Sequence, residues 1–344
     1  MTRDSLRSMK RLEELTTFRV GGPAKEFFTA TSESELIELV ESADSSGIPL
    51  LIIGGGSNIL VSDAGFAGRV IQVATKGIEV ESDACSGGLI TVQAGEDWDE
   101  LVSWANAEGF VGIETLAGIP GTVGAAPIQN IGAYGHEVSE VIARVRTFDR
   151  RERKVVTFAV NDCDFSYRTS RFKREPDRYL ILDVAFQMKQ GEMSAPIQYQ
   201  ELADALGVSL GERAPLKQVL EATLTIRKRK GMVLDDSDRD TWSAGSFFTN
   251  PIIESALVPA NASSWPTSDG RVKVSAAWLI ENAGVKRGTT HGGAAISSKH
   301  VLAIANHHGA RAEEIKQLAE ICSTAVRKKF AIELESEVRL FGFA

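Results

Sequence analysis

Cysteine is scarce in this sequence, and long apolar runs are absent. The chain has three cysteines, Cys85, Cys163 and Cys322, which are far apart, odd in number and form no CxxC pair. This usage argues against a disulfide scaffold or a zinc ribbon and fits a reducing cytoplasm. The five histidines lack metal-binding spacing, so no metal site is predicted. No stretch approaches the roughly 18 apolar residues of a transmembrane helix.

The chain also lacks an excess of basic residues. Lysine and arginine total 38 against 46 acidic residues, for a net charge of −8, which argues against a nucleic-acid or anionic-membrane partner. Residues 1–15 mix both charge signs without an apolar core, so they do not predict a secretory signal. With 43% hydrophobic and 24% charged residues, the composition is that of a globular protein. Its 344 residues suggest about two or three domains.

Hydrophobic periodicity predicts alternating helices and strands. Apolar residues recur at helical spacing over 36–43, 98–105, 216–224, 275–282 and 312–330. Apolar runs predict strands at 50–53, 69–73, 89–93, 142–148, 154–158 and 179–188. Ser32 and Glu35 form a capping-box pattern before the first helix. The longer strands indicate a mostly antiparallel sheet, and the Asp-, Ser-, Asn- and Pro-rich segment 235–270 is predicted to be loop.

The first of two glycine-rich loops, Gly54-Gly55-Gly56-Ser57-Asn58, directly follows a predicted buried strand. Glycines let the backbone approach a ligand closely. Successive N–H groups, helped by the Ser57 and Asn58 side chains, can cradle a phosphate. The loop matches neither the Walker pattern nor GxGxxG, so a plain tight turn is an equal alternative.

The second loop covers residues 118–135 and contains five glycines and two prolines among small, apolar side chains. An exposed linker would be more polar. The composition suits a backbone packed against a flat ligand such as a flavin ring. Close packing of strand against strand is the alternative interpretation.

Together these loops and the segments around them resemble the UDP-N-acetylenolpyruvoylglucosamine reductase family, which are FAD enzymes of peptidoglycan precursor synthesis. The similar segments are 17–22, 55–58, 119–135, 167–173, 244–251, 292–295 and 334–339. Each segment alone is weak, but their order and combination are specific and span nearly the whole chain. The chain is similar to the longer class of the family, which carries a substrate tyrosine on a mobile loop.

The resemblance implies an α+β fold. Its expected parts are an FAD-binding fold of the PCMH/vanillyl-alcohol-oxidase type, made of two subdomains, and a C-terminal α+β substrate-binding domain. The implied subdomains are residues 1–78 and 79–226, the second carrying the tyrosine loop near residue 199. The substrate-binding domain covers 227–344, with a final strand at 332–344 that returns to the active site. A cytoplasmic monomer is expected.

The family reaction reduces the enolpyruvyl ether of UDP-N-acetylglucosamine-enolpyruvate to UDP-N-acetylmuramate, with NADPH as reductant and non-covalent FAD. Hydride addition places negative charge on the carboxylate side, where a cation and a hydrogen-bond donor lower the barrier. An acid then protonates the neighbouring carbon. The resemblance assigns Arg168 to the carboxylate, Glu337 to its polarisation when protonated, and Ser246 to proton donation. Without the resemblance, a surface arginine, a solvated strand residue and a turn serine are the more ordinary interpretations.

The resemblance also implies binding residues. The expected FAD contacts are Gly54, Gly55, Gly56, Ser57, Asn58, Ile119, Gly121, Thr122, Gly124, Ala125, Ala126, Tyr134, Arg227 and Arg339. The expected substrate contacts are Tyr167, Tyr199, Lys230 and Asn250. Lys228 and Arg229 are alternatives to Lys230 for the diphosphate, and the basic run also suits a solvated helix end near its negative dipole pole. His136 follows the second loop, and nothing marks it as a flavin attachment site.

Two other functions stay open on the sequence alone. An oxidase on the same FAD scaffold would consume oxygen rapidly. A nucleotide-sugar sensor would bind a UDP-sugar as a colourless protein. The combination of Ser246, Arg168 and Glu337 favours the reductase over both.

Overall fold

The structure is a computed structural model that describes residues 10–83 and 87–343, so Cys85 lies outside the described residues. The chain divides into two compact units, each built from separate stretches. In the described part, the first unit contains Lys25–Gly55 and Gly68–Lys228, and the second contains Lys10–Ala24, Gly56–Ala67 and the residues from Arg229 on. The three predicted domains were assigned by function, which this division does not test, so that assignment stays a prediction.

Helices and strands are mixed along the whole of the described chain. The α-helices are α1 (Glu33–Ser45), α2 (Trp98–Ala107), α3 (Arg171–Arg174), α4 (Gln200–Leu206), α5 (Leu216–Arg229), α6 (Ala276–Asn282) and α7 (Ala312–Phe330). The strands up to residue 93 are β1 (Ala24–Ala30), β2 (Leu50–Ile53), β3 (Ile59–Val61), β4 (Phe66–Val73), β5 (Ile78–Asp83) and β6 (Gly87–Gln93). The next strands are β7 (Phe110–Val111), β8 (Gly132–Ala133), β9 (His136–Glu137), β10 (Ile142–Asp149), β11 (Lys154–Ala159) and β12 (Tyr179–Gln190). The last are β13 (Ile252–Ile253), β14 (Ser264–Pro266), β15 (Val272–Val274), β16 (Thr290–His291), β17 (Ala294–Ile296), β18 (Ile304–Asn306) and β19 (Arg339–Phe341).

The first unit is built around an antiparallel sheet with the strand order β11-β10-β12-β6-β5, and β7 also pairs with β12. In its centre Val184 pairs with Val145 on one side and Val92 on the other, and all three are fully buried. A smaller sheet of order β1-β4-β2 includes a parallel β2–β4 pair. The prediction of a mostly antiparallel sheet is confirmed.

Two helices of the first unit begin where the sequence predicts. The Ser32 side chain accepts the Glu35 N–H at 3.3 Å, and the Glu35 carboxylate accepts the Thr31 N–H at 3.0 Å. Asp97 caps helix α2, because its carboxylate accepts the N–H groups of Asp99 and Glu100. The predicted apolar stripe of α2 is buried, and each large side chain buried in this way contributes about 1.5–3 kcal/mol. Capping and burial together fix α2 against the core, where it supports the second glycine-rich loop.

The second unit has small sheets and two helices. Strand orders are β13-β15-β14, β16-β17-β18 and β19-β3, the last pair being parallel. Phe18, Leu60, Phe247, Leu279 and Leu318 belong to one buried cluster, so three separate stretches of chain share this core. Within the described residues, none of the helices combines the length and apolarity needed to cross a membrane.

Two sequence predictions in the second unit have different outcomes. Helix α7 has the predicted bounds, because its apolar stripe is long and regular. The predicted final strand at 332–344 is wrong in extent, since the regular strand covers only Arg339–Phe341. Before it, Ser336 makes an isolated bridge to Phe248, so the backbone there lacks a continuous ladder.

The two cysteines that the structure describes are free and buried. Burial raises the pKa of both the Cys163 and the Cys322 thiol to about 12. Each thiol is therefore protonated at neutral pH and behaves as a small apolar side chain.

Candidate active site

The two glycine-rich loops meet in the first unit. A Cβ atom added at Gly54 would lie 2.2 Å from Thr122 Oγ1, and one at Gly55 would lie 2.8 Å from Gly121 Cα. Such distances are too short for real Cβ atoms, so both positions require glycine for this contact. The structure thus brings together two predicted cofactor-binding segments, and close packing accounts for these two glycines.

The start of α2 holds the second loop in place through main-chain groups. The Trp98 N–H donates to the Gly121 carbonyl at 3.0 Å, and the Gly124 N–H donates to the Ala94 carbonyl at 2.9 Å. The Asp99 carboxylate accepts the Gly118 N–H at 2.5 Å. Sequence reasoning missed Asp99, because an acidic residue in the first turn of a helix is ordinary.

The second loop ends in the β8–β9 hairpin. Its two turn residues, Tyr134 and Gly135, both have positive φ, +52° and +89°, as a type I′ hairpin turn requires. Tyrosine in this region costs of order 1–3 kcal/mol, a strain typical of functional sites. The Tyr134 ring meets the Tyr199 ring edge-on at 5.4 Å between centroids, and Tyr199 is 40% exposed. Two residues predicted to bind different ligands therefore touch.

Arg168 reaches the same loop end from a tight turn. Its guanidinium donates to the carbonyls of Gly132 at 2.6 Å and Asn130 at 3.4 Å, and it lies 5.6 Å from the Tyr167 ring centroid. Arg168 itself has φ +52°, so its orientation is fixed by an uncommon backbone conformation. Carbonyl oxygens orient the guanidinium, and a fixed positive charge suits an anionic ligand.

Asn130 is a residue that the sequence analysis did not single out. It is fully buried with φ +48°. Its amide donates to the Glu137 carboxylate at 2.6 Å, and its side-chain oxygen accepts the Ser139 N–H at 3.1 Å. It therefore sets the direction of the carbonyls that Arg168 uses. Its position within the second loop, two residues before Gly132, is all that the sequence offered, and asparagine is common in ordinary turns.

Arg227 approaches the other end of the second loop from the last turns of α5. Its guanidinium donates to the Gly118 carbonyl at 3.3 Å. Burial lowers its pKa, Tyr134 and Asp99 oppose that shift, and the charge of Arg168 adds to it. The ordinary pKa of a guanidinium is so high that arginine stays charged at any working pH. Two cations thus flank one loop, whereas Lys228 and Arg229 are exposed.

Ser246 and Glu337 come together in the second unit. Ser246 bridges to Ala303, and the next residue, Phe247, donates its N–H to the Leu302 carbonyl at 2.8 Å. The Phe247 carbonyl accepts the Glu337 N–H, also at 2.8 Å. The predicted proton donor and the predicted carboxylate-polarising residue therefore lie on neighbouring extended segments. Both are half-buried.

Asn58, at the end of the first glycine-rich loop, is hydrogen-bonded to the segment that carries Glu337. The Asn58 side-chain amide donates to the Glu337 carbonyl at 3.0 Å, and the Asn58 carbonyl accepts the Arg339 N–H at 3.1 Å. A Cβ atom at Gly56, where φ is +60°, would lie 1.8 Å from the Leu15 carbonyl oxygen. Gly56 therefore has to be glycine, and Glu337 and Arg339 are held in register with Asn58.

One predicted substrate contact has a structural partner within its own unit. The Asn250 side-chain oxygen accepts the N–H of Ala276, the first residue of α6, at 2.9 Å. Lys230 is half-buried and directly follows α5. The substrate-binding roles of Asn250 and Lys230 stay predictions.

The residues present fit FAD, which combines a diphosphate with a flat ring system. The first unit offers the glycine backbone of Gly54, Gly55 and Gly121, with Arg227 and Arg168 bound to carbonyls at the two ends of the second loop. Such a set of main-chain amides and cations is what a bound phosphate needs. The second unit contains Asn58 and, hydrogen-bonded to its carbonyl, Arg339, two further predicted FAD contacts.

Comparisons with known proteins identify the family. Residues 24–158 match the sequence model of the FAD binding domain, and residues 236–341 match that of the UDP-N-acetylenolpyruvoylglucosamine reductase C-terminal domain. The UDP-N-acetylenolpyruvoylglucosamine reductase of Cutibacterium acnes is 50% identical over 334 residues, 96% of this chain and 89% of the relative. The chain belongs to the UDP-N-acetylenolpyruvoylglucosamine reductase family.

Further relatives of this reductase family agree. The enzyme of the same name from Streptomyces avermitilis is 46% identical over 95% of this chain and 92% of its own length. The crystal structure of the reductase from Thermus caldophilus superposes with a TM-score of 0.66 at 26% identity, covering 96% of this chain and 97% of that one. The predicted family, the fold class with its FAD-binding and C-terminal α+β parts, and the FAD cofactor are confirmed. The protein is an FAD-dependent oxidoreductase.

Proposed function

We propose that this protein reduces the enolpyruvyl ether of UDP-N-acetylglucosamine-enolpyruvate to UDP-N-acetylmuramate with NADPH, as a step of peptidoglycan precursor synthesis. The observation that carries the proposal is the Arg168 guanidinium, charged and oriented by two loop carbonyls at the end of a segment that belongs to the FAD-binding domain. FAD, when bound, supplies hydride transfer from NADPH to the terminal enol carbon.

Arg168 binds and orients the substrate carboxylate. Its planar fork of donors matches the two carboxylate oxygens, and its charge opposes the negative charge that builds there during hydride addition. The Gly132 carbonyl at 2.6 Å fixes one end of the fork. Little reorganisation is then needed at the moment of reaction, which is the condition for effective electrostatic stabilisation.

Ser246 holds the proton that the second carbon receives. A hydroxyl is a weak acid, so it protonates only a strongly basic carbon, such as the one left after hydride addition. Glu337, when protonated, donates a hydrogen bond to the same carboxylate as Arg168. The main-chain link between Phe247 and Glu337 keeps Ser246 and Glu337 in a fixed relation.

The remaining assignments complete the proposal. Gly54–Asn58, the second loop from Ile119 to Tyr134, Arg227 and Arg339 hold FAD, while Tyr167, Tyr199, Lys230 and Asn250 contact the UDP-sugar. We also propose that the active species is a cytoplasmic monomer, as the family resemblance implies. Light scattering of the yellow holoenzyme measures its mass, and a dimer would contradict the monomer.

An anaerobic flavin titration tests the proposed reaction. The purified yellow protein is bleached with NADPH, and the enolpyruvyl UDP-sugar is then added without oxygen. Return of colour, with UDP-N-acetylmuramate formed in equal amount, is the expected result. Bleaching without recovery would overturn the substrate assignment, and rapid recovery with oxygen alone would indicate an oxidase. A colourless protein that still binds the UDP-sugar would indicate a sensor.

A further inference from the structure

His136 is a buried histidine that the proposed reaction does not use. It follows the Tyr134–Gly135 turn and is 3% exposed. Its Nδ1 lies 2.7 Å from the Glu140 carboxylate, and its Nε2 lies 2.9 Å from the Pro196 carbonyl. Both partners are acceptors only. A neutral imidazole has one N–H to donate, so both hydrogen bonds form together only when the ring is protonated.

The charged groups around His136 favour the protonated ring. Burial lowers its pKa, but hydrogen bonds to Glu140 and the Pro196 carbonyl, together with the charges of Glu140 and Glu114, outweigh burial and raise it above the ordinary 6.5. Arg213 is the basic residue on the segment that pairs with residues 194–197, where it donates to the Ser194 carbonyl at 2.8 Å. The His136 ring therefore stays protonated to a higher pH than an ordinary histidine does.

The residue that His136 holds, Pro196, leads directly to Tyr199. Just before it, the Ala195 N–H donates to the buried Glu114 carboxylate at 2.7 Å. Just after it, the fully buried Ile197 donates its N–H to the Glu212 carbonyl at 2.8 Å. The segment that carries Tyr199 is therefore fixed at consecutive residues, and His136 is the histidine among the groups that fix it.

The hairpin carries this restraint on to Tyr199. His136 contacts Pro196; a Cβ atom at the neighbouring Gly135 would lie 2.6 Å from Gln198 Cβ; and Tyr134 packs on Tyr199. Successive residues of one turn thus lie along successive parts of the tyrosine segment. Loss of the first contact loosens the packing that orients the Tyr199 ring.

We propose that His136 is a positioning residue for Tyr199, whose protonated ring ties the tyrosine segment to the end of the second glycine-rich loop and so makes substrate affinity depend on pH. The inference rests on the proposed function, in which Tyr199 contacts the UDP-sugar. As the pH rises through the His136 pKa, one hydrogen bond is lost and the KM for the UDP-sugar rises. Because the proposed function assigns Tyr199 to the UDP-sugar, we expect flavin reduction by NADPH to keep its rate.

The test compares the holoenzyme with His136→Gln across pH 5.5 to 9. Glutamine stays uncharged and offers one donor group, so the variant mimics the high-pH state at every pH. At low pH we expect its KM for the UDP-sugar to exceed that of the wild type by about tenfold, the effect of one charge-assisted hydrogen bond. The difference disappears at high pH. The exposed histidine variant His308→Gln is the matched control and keeps the wild-type profile.

Two further measurements separate positioning from a general loss of structure. In a Tyr199→Ala background, His136→Gln produces no additional rise in KM if it acts through Tyr199; an additive effect would overturn the inference. Amide hydrogen exchange of residues 194–202, expressed as protection factors, should fall with rising pH in the wild type and stay low in His136→Gln. Equal, pH-independent protection in both proteins would also overturn it. Because the exchange measurement needs no turnover, it stands even where the wild type fails to reduce the UDP-sugar, and that failure would contradict the proposed function alone.

Discussion

The two units hold their candidate site residues in different ways. In the first unit, Arg168 and Arg227 donate from their side chains to main-chain carbonyls of one loop. In the second unit, Ser246 and Glu337 are placed by hydrogen bonds between main chains, which a change of side chain leaves intact. In the first unit, the candidate site side chains therefore also hold the loop together. In the second unit, the side chains can be changed without breaking the hydrogen bonds that place them. Substitutions can test this difference.

The largest effect is expected for Ser246→Ala, which removes the proposed proton donor and leaves the bridge to Ala303 intact. Reoxidation of the reduced flavin by the UDP-sugar should slow by about 100- to 10,000-fold, the usual contribution of a general acid. Flavin reduction by NADPH and the melting temperature should not change. Stopped-flow absorbance measures both half-reactions, with the exposed serine variant Ser264→Ala as control. Equal slowing of both half-reactions would refute the role of Ser246.

Arg168→Ala should combine a chemical and a structural loss. We expect reoxidation to slow by about 100- to 1000-fold and unfolding to require about 1–3 kcal/mol less free energy, because the carbonyls of Gly132 and Asn130 lose a charged donor. Arg168→Lys keeps the charge but not the fork, so it should recover only part of the rate. Arg171→Ala, three residues away, is the control for the reoxidation rate. A variant that weakens UDP-sugar binding alone, at full stability, would contradict the comparison.

Gly55→Ala tests the contact between the loops. Its Cβ atom would meet the Gly121 backbone at 2.8 Å, and backbone moves less easily than a side chain, so we expect a loss of about 1–3 kcal/mol in stability and less bound FAD. At Gly191 the nearest atom to an added Cβ is 4.0 Å away, so Gly191→Ala should be neutral or stabilising by about 0.4–1 kcal/mol. Thermal unfolding and flavin content measure both. Equal behaviour of the two variants would show that the loops do not depend on close packing.

The smallest effect is a pH-dependent contribution of the His136–Glu140 pair to stability. The pKa of His136 is raised in the folded protein. The stability that His136 contributes is therefore full below its unfolded pKa of 6.5, and it is lost as the pH rises through the folded pKa. Burial raises the pKa of Glu140, but hydrogen bonds to His136 and Glu137 lower it overall. The stability that Glu140 contributes is full above its unfolded pKa of 4.5, and it is lost as the pH falls through the folded pKa. Chemical denaturation should therefore show the largest deficit of His136→Gln between pH 4.5 and 6.5; a constant deficit would refute the pairing.

The sequence predicts best those elements whose pattern is long. The apolar stripe of α7 and the apolar run of β12 are long enough to fix the type and position of both elements. The strands of the second unit are two or three residues long and carry no period. That residues 10–24 cluster with residues beyond 229 is a long-range packing choice that no local pattern encodes.

The candidate site, too, could be predicted from the sequence only in part. Family resemblance pointed to Arg168, Ser246 and Glu337, whereas their supports could not be read from the sequence. Asn130 directs the carbonyls under Arg168 through a positive φ and buried amide contacts. Neither property has a sequence signature at asparagine, which is equally common in ordinary turns.

The pairing of β3 with β19 has a consequence for how the protein is made. Asn58 cannot form its hydrogen bond to Glu337 until that residue, 279 positions later in the chain, has been synthesised. At about 5–20 residues per second of synthesis, that interval lasts roughly 14 to 56 s. Throughout it, Phe18 and Leu60 lack most of the core that will cover them. A ribosome that stalls in this interval leaves a nascent chain with apolar segments open to chaperones and proteases, so the cell's supply of working enzyme depends on completing translation.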